Sequence, residues 1–589
     1  MGEFFLLLSS GIAVIGHMLM LNFVPALKKS AKEEEYTAHF KSTYADWIDP
    51  SNNFISYNDE YDQARVIFIG SEAFSQDDDG QIPTVSEGMG YGLLLSYAND
   101  DQILFDKFLR YIIATSNQYG CSLFDGNNTK TCLETAPFMM PWIVNEKGLP
   151  FWYMSDPSSS EAYYSSGSAS DADFQIAWAL DLAAKRVKEG SWNQSTFSTT
   201  EGEMDYEKIF LVMAKAIRLN DINFRTMIYN PGNQWGLKGV NVLYPGYFTP
   251  SAFDALNQVP KPYINNECPS EYPKVEPESS LLLVFVNNVD KGISIDYMGG
   301  NGPMEPGSHF IPKKSNQNAF QVESLTRAKT IFTTGNSLYA NATFKANYYN
   351  SRGKAEMSAQ YYFEYQNGSW SYQDLGSTPE AKICMEGNVA FVYLTAPNIQ
   401  KVEFDYEEVK KNSVLALRKF QNNYKTGLFP NVDYLLNNFP KDNAWSNSFG
   451  FDAARFPLWA SYYAYKTNPN NEENETLIEV LTALMSQKGV KPFIKDQGAG
   501  FTLPSGGINA LKGLVEGDWS VAYPALNGPI ALAAKLMGDE RLYMELMIKL
   551  CEYDIKVNQP SNNDPEGDST PYFNAVILLL TKALLENRI

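Results

Sequence analysis

Three short segments of this 589-residue chain place a carboxylate among small residues: SEGMGYG at Ser86–Gly92, ASDADFQIA at Ala169–Ala177 and FGFDAARFP at Phe449–Pro457. Each reads as a loop running into a helix, an arrangement that presents a carboxyl group to a cleft without side-chain bulk around it. A pair of such groups can break a glycosidic bond. One protonates the leaving oxygen while the other activates a water on the far face of the sugar, and the scheme calls for no metal and no cofactor. Other chemistries have less material to work with. The three histidines, His17, His39 and His309, are remote in sequence from all three segments, so a Ser-His-Asp triad or a His-ligated zinc site is hard to assemble. The chain has no G-x-x-x-x-G-K-[ST] segment and no G-x-G-x-x-G after a strand pattern, which leaves nucleotide chemistry unsupported.

The elements that must hold these segments are mostly helical. Leu104, Phe105, Phe108, Leu109, Ile112 and Ile113 form one apolar face. Comparable patterns run over Asp173–Lys185, Tyr206–Leu219, Val414–Tyr424, Leu477–Met485, Leu542–Tyr553 and Tyr572–Leu585. From about Leu256 to Phe404 the pattern changes to alternation. SLLLVFVNN, GISIDYM, SLYANATFKANYY, SAQYYFEYQ, NVAFVYLTA and KVEFDYE all read as strands, which predicts a β-sandwich-like domain inserted into a mainly α fold. The Ser-rich stretch Ser155–Ser170 runs straight into Asp171 and reads as a cleft-lining loop.

Composition bounds the partners and the compartment. A net charge of -21 and a pI near 4.7 repel nucleic acid and anionic membrane surfaces, so a neutral or cationic polymer is the easier partner. Residues 4–27 form an apolar run followed by Lys28 and Lys29, long enough for a membrane span, although its start lacks the positive charge of an export signal. The positive-inside rule would by itself put the rest of the chain in the cytoplasm. A polymer substrate favours export instead, so residues 1–31 are expected to be a signal or membrane anchor and the protein to be secreted or anchored facing outside the cytoplasm. Five cysteines fit that compartment: Cys121 with Cys132, Cys268 with Cys384, and Cys551 as a buried thiol, the alternative being five unrelated core thiols.

On either side of the β-rich segment, over about residues 32–255 and 405–589, the chain resembles family 8 glycoside hydrolases, whose members include endoglucanases, lichenases, chitosanases and xylan-active enzymes. The signature A-[ST]-D-[AG]-D-x-x-[IM]-A-x-[SA]-L is satisfied by Ala169 through Leu180, with departures further down the helix at Asp181 and Val187. The resemblance implies an (α/α)6 barrel of six helical hairpins, interrupted here by an insertion at 256–404. It also implies roles for single residues. Glu87 matches the general acid, Asp452 the general base, and Asp171 a third acid that binds and distorts the sugar. Asp173 is expected to be structural. Tyr247 in YPGYFTP matches a tyrosine near the attacking water, and Trp142, Trp235 and Trp519 fall where the family places sugar-stacking aromatics. Arg455, one helical turn after Asp452, can keep a neighbouring carboxylate ionised or hold a sugar hydroxyl.

Plainer readings stand beside these: a helix-dipole partner for Glu87, a helix salt bridge for Asp452 and Arg455, and core packing for each Trp. The expected function is an inverting, endo-acting hydrolase of β-1,4-linked glucan, cellulose or mixed-linkage, working as a monomer on polysaccharide. The alternatives are a chitosanase or xylan-active hydrolase of the same family, or a non-hydrolytic carbohydrate-binding protein on the same barrel.

Overall fold

In the computed structural model the described residues are 31–68, 82–119, 138–145, 148–149, 167–199, 202–223, 228–232, 242–259, 406–434, 444–467, 472–496, 501–502, 508–512, 514–515, 524–556 and 571–589. Strands between 271 and 403 are also described. The apolar run at 4–27 and the expected Cys121–Cys132 and Cys268–Cys384 pairs lie outside the described residues. Among the described residues no helix is long and apolar enough to cross a membrane.

The main helices are α1 (Ala31–Ile48), α2 (Ser86–Ala98), α3 (Gln102–Tyr119), α4 (Ser170–Glu189), α5 (Tyr206–Asn220), α6 (Pro250–Asn257), α7 (Tyr406–Tyr424), α8 (Phe451–Lys466), α9 (Glu472–Leu484), α10 (Pro524–Leu536), α11 (Glu540–Glu552) and α12 (Pro571–Leu585). The even-numbered helices form a closed inner ring: α2 packs on α4, α4 on α6, α6 on α8, α8 on α10, α10 on α12, and α12 back on α2. Each has an odd-numbered partner outside it, and α1, the first helix of the chain, backs α12, the last. This is a barrel of six helical hairpins.

The two rings differ in sequence because they differ in burial. In α2 every residue except Glu87 and Tyr97 is buried, and in α10 the whole run Pro524–Ala534 is buried, so neither has a polar face to alternate with an apolar one. The outer helices bury one stripe and expose the other, which is why α3, α5, α7 and α11 show the 3.6-residue period. Local chemistry sets some of their ends. Asp205 caps α5 by accepting from the Lys208 N–H at 2.9 Å, and Asp539 caps α11 through Leu542 N–H at 3.2 Å. Asp181, the departure from the signature, pairs with Lys185 one turn on at 2.6 Å, so its charge is met within α4.

The predicted strands form in the segment between α6 and α7. One antiparallel sheet has the order Gly292–Met298, Ser280–Asn288, Val389–Thr395, Ala381–Glu386. A second has the order Ala319–Thr326, Leu338–Asn350, Gly353–Gln366, Ser369–Asp374, with Ile331–Phe332 also on Leu338–Asn350.

The boundaries move from those expected. KVEFDYE is a strand only over Lys401–Glu403, and Tyr406 already begins α7. At the other end Leu256 and Val259 are buried in the helical core, so the barrel runs past residue 256. Two sets of contacts hold these ends together. Glu271–Pro273 pairs antiparallel with Lys401–Glu403, and on the barrel side the Lys410 ammonium donates to Asp254 and Glu407, both at 2.8 Å, and to the Tyr463 hydroxyl at 2.5 Å.

Because the α6–α7 contact is made by residues outside the β-rich segment, the barrel is expected to fold without it. Replacing residues 260–404 by a short Gly-Ser linker should leave a single cooperative thermal transition by circular dichroism. Loss of cooperative melting would show that the segment braces the ring.

Candidate active site

All three acids occupy the same local position. Glu87 is the second residue of α2, Asp171 of α4 and Asp452 of α8. Val85 and Ala169, the residues before α2 and α4, make no side-chain cap, so the positive ends of these two helices face Glu87 and Asp171. At the start of α8 Asn431 Oδ1 accepts from the Gly450 N–H at 3.3 Å and the Ala453 N–H at 2.8 Å. Asp173 lies in the first turn of α4.

The three helix starts converge on one side chain. Arg455 Nη1 donates to Glu87 Oε2, and at 2.7 Å to Asp171 Oδ2, while Nη2 donates to Asp452 Oδ1 at 2.5 Å. Nη1 also lies 3.3 Å from the Tyr91 hydroxyl. The Arg455 and Asp171 side chains are each 1% exposed, against 17% for Glu87 and 28% for Asp452, so the acid and base assigned by resemblance are the two with a path to solvent. Tyr247 joins them, its ring centroid 5.2 Å from the guanidinium carbon, with the Phe573 ring at 5.6 Å.

Glycines let the backbones approach this closely. A Cβ on Gly246, in the YPGY turn, would stand 1.8 Å from the Asp452 carbonyl oxygen, and one on Gly90 would stand 2.9 Å from Gln175 Oε1 across the α2–α4 contact. Any larger residue at Gly246 would push Tyr247 and α8 apart.

Trp142 is placed beside the acid through its backbone. Its carbonyl accepts from Ser86 N–H at 2.9 Å, and its own N–H donates to the Gly167 carbonyl at 2.7 Å, so one short strand ties the start of α2 to the entry of α4. Its side chain is half-buried and packs against the barrel core. Trp235 and Trp519 lie outside the described residues, as does most of the Ser-rich stretch. His39 is the histidine described, and it contacts Thr43 and Lys582. Cys551 is half-buried rather than fully buried and is not part of a disulfide.

Two contacts had no counterpart in the sequence reading. The Tyr572 hydroxyl, at the start of α12, donates to Glu87 Oε1 at 3.3 Å, across 485 positions of chain. Tyr91 did leave a signal, standing four residues after Glu87 and hence on the same helix face.

The protonation of Glu87 follows from burial and charge balance. Its carboxyl is pushed up to about 8, first by burial, with Asp171 and Asp452 adding to the rise and Arg455 and Tyr572 opposing it. Arg455 is a counter-charge that the residues next to Glu87 in sequence do not signal. The proton is kept because three carboxyl groups share that single cation in a buried site. Burial likewise raises Asp171, against the pull of Arg455, and raises Tyr247 well above the usual phenol range.

This has a consequence for stability. Folded Glu87 keeps its proton up to about 8, whereas its ordinary value is 4.5, so the stability it contributes below that value is lost as pH rises toward 8. Glu87→Gln removes the loss. Its melting temperature relative to wild type should climb by a few degrees between pH 5 and pH 8.5 in scanning calorimetry. A constant offset across that range would contradict the raised value.

Residues 35–126 and 140–316 match the description Glycosyl hydrolases family 8, a region that holds Glu87, Asp171, Trp142 and Tyr247 and ends before Asp452 and Arg455. The chain is 27% identical over 227 residues to Endoglucanase A of Acetivibrio thermocellus, covering 38% of this chain and 37% of that protein. It is 27% identical over 214 residues to Endoglucanase C of Ruminiclostridium cellulolyticum, covering 36% and 38%. The aligned part thus spans little more than a third of either relative. Among solved structures it is similar to a β-1,3-1,4-glucanase from Paenibacillus sp. X4, with 12% identity, 95% of each chain covered and a TM-score of 0.48. The signature at Ala169–Leu180 and Glu87 both fall inside the part of the chain, residues 35–126 and 140–316, that is similar to glycosyl hydrolases family 8.

Proposed function

We propose that this protein is an inverting, endo-acting glycoside hydrolase of β-1,4-linked glucan, with Glu87 as general acid and Asp452 as general base. The observation that carries the reading is the Arg455 cluster, which draws Glu87, Asp171 and Asp452 from three helices to one guanidinium. Glu87 holds a proton near neutral pH and is partly open to solvent, as a group that protonates a glycosidic oxygen must be. Asp452 is the more open of the two and is held by the other amino group of the same guanidinium.

In this scheme a water attacks the anomeric carbon as Asp452 takes one of its protons. The bond from that carbon to the leaving oxygen breaks, and that oxygen takes the proton of Glu87. Arg455 balances the charge left on Glu87 and already balances that on Asp452, while buried Asp171 is fixed for binding the sugar. Tyr247, against Arg455 and beside the Asp452 backbone, is placed to hold the attacking water. Trp142, Trp235 and Trp519 would stack on sugar rings.

The choice of a β-glucan substrate is supported by the names of the two relatives, both endoglucanases. Chitosan and xylan remain the alternative substrates, and a non-hydrolytic carbohydrate-binding role is the alternative without chemistry. We further propose that the two β-sheets between α6 and α7 form a separate sandwich module that contacts long or insoluble polymer, that the protein is exported through its apolar N-terminal run, and that it works as a monomer.

Proton NMR early in the hydrolysis of a soluble mixed-linkage β-glucan should show the α-anomer of the new reducing end before mutarotation. Glu87→Gln and Asp452→Asn should each lower turnover by about 10²-fold or more. The β-anomer as first product would mean a covalent intermediate and remove the base role of Asp452. Near wild-type turnover in either variant would remove that residue's role.

A further inference from the structure

Two residues along α4 from Asp171, the Asp173 carboxyl lies against that of Asp221, the residue that ends α5. Both residues are 0% exposed. None of their four carboxyl oxygens accepts from an N–H group among the described residues. Two carboxylates in contact, out of water and with no such donor, cannot both be ionised. The arrangement is satisfied if one of them keeps a proton and gives it to the other.

The backbone around the pair ties the same two segments together. The Asp221 carbonyl accepts from Asn230 N–H at 2.6 Å. In turn the Asn230 carbonyl accepts from the Ser170 hydroxyl at 2.5 Å, and the Pro231 carbonyl accepts from Ser170 N–H at 3.1 Å. A Cβ on Gly232 would stand 2.0 Å from the Ser168 carbonyl oxygen, so the chains are in direct contact there. Ser170 immediately precedes Asp171.

We propose that Asp221 is a neutral carboxylic acid that donates to the Asp173 carboxylate, and that this buried pair is a positioning device that holds the first turn of α4, and with it Asp171, against Arg455. Sharing the proton also limits the negative charge behind Asp171 to one, which keeps the pair from competing strongly with Asp171 for its proton. The ionisable groups around the pair are Asp171, which raises both members, Arg218 on α5, and the Tyr406 phenol of α7, which senses both Arg218 and Asp221. Burial is the first cause of the upward shift in both, and their contact lowers Asp173 while it raises Asp221. The effect on catalysis rests on the sugar-binding role proposed for Asp171, whereas the shared proton does not.

The test compares Asp221→Asn, whose amide can replace the donated proton, with Asp221→Ala, which cannot, alongside Asp171→Asn. In wild type the pair holds about one proton more folded than unfolded once the unfolded carboxylates have ionised, so stability falls as pH rises above that range. Asp221→Asn should make the fall of the denaturant midpoint between pH 5 and pH 8 shallower by about one proton, and should keep close to wild-type turnover on soluble glucan. Asp221→Ala should lose about 10-fold or more in kcat/KM, the cost of a bond to a charged group. An unchanged pH slope in Asp221→Asn would overturn the shared proton, even if Asp221→Ala does not fold. Asp221→Asn as damaging as Asp221→Ala would overturn it too, as expected if Asp221 were ionised against Arg218. Wild-type turnover in Asp171→Asn would remove the role of Asp171 while leaving the pH slope to judge the pair.

Discussion

One buried guanidinium facing three carboxyl groups leaves an excess of negative charge that the barrel interior cannot screen. Much of the local structure answers that excess. Three helices begin at the acids, α2 and α4 without side-chain caps, so their dipoles add positive potential where it is short. What remains is met by retaining a proton, and Glu87 takes it because burial and two like charges outweigh its contacts with Arg455 and Tyr572. The same economy recurs one layer back, where Asp173 and Asp221 meet without an N–H donor.

The closed ring of inner helices makes this arrangement possible. Arg455 lies in the α8 stretch that meets the YPGY turn, and each acid arrives from a different hairpin, so their spacing depends on contacts all round the barrel. Close approach is needed at the turn and between α2 and α4, and glycine supplies it at Gly246 and Gly90. Phe248, Phe429 and Phe456 pack ring to ring beneath the turn, with centroids 5.2 Å and 5.0 Å apart, which fixes α8 against it.

Much of this was legible in the sequence, and the parts that were not have physical reasons. The acids and Arg455 could be named because each depends on a few neighbouring residues: a carboxylate beside small residues, an Arg one turn after an Asp. The outer helices and the strands announced themselves by period. The inner helices α4 and α12 did so too, whereas α2 and α10, buried on all sides, have no alternation and were missed as periodic elements for that reason. The partners of Glu87 were invisible because they come from remote chain: Arg455 lies 368 positions away and Tyr572 lies 485 away. Asp173 is another such case, its first-turn position readable but its partner Asp221 not.

The claim on which the rest turns is that Glu87 carries the proton that three carboxyl groups and one arginine leave over. Carbon-13 NMR of glutamate side-chain carboxyls in the labelled protein, compared with Glu87→Gln, measures it directly. The account predicts one carboxyl resonance that titrates near pH 8 and is missing from the variant. A Glu87 resonance that titrates near pH 4.5, in the ordinary glutamate range, would contradict it.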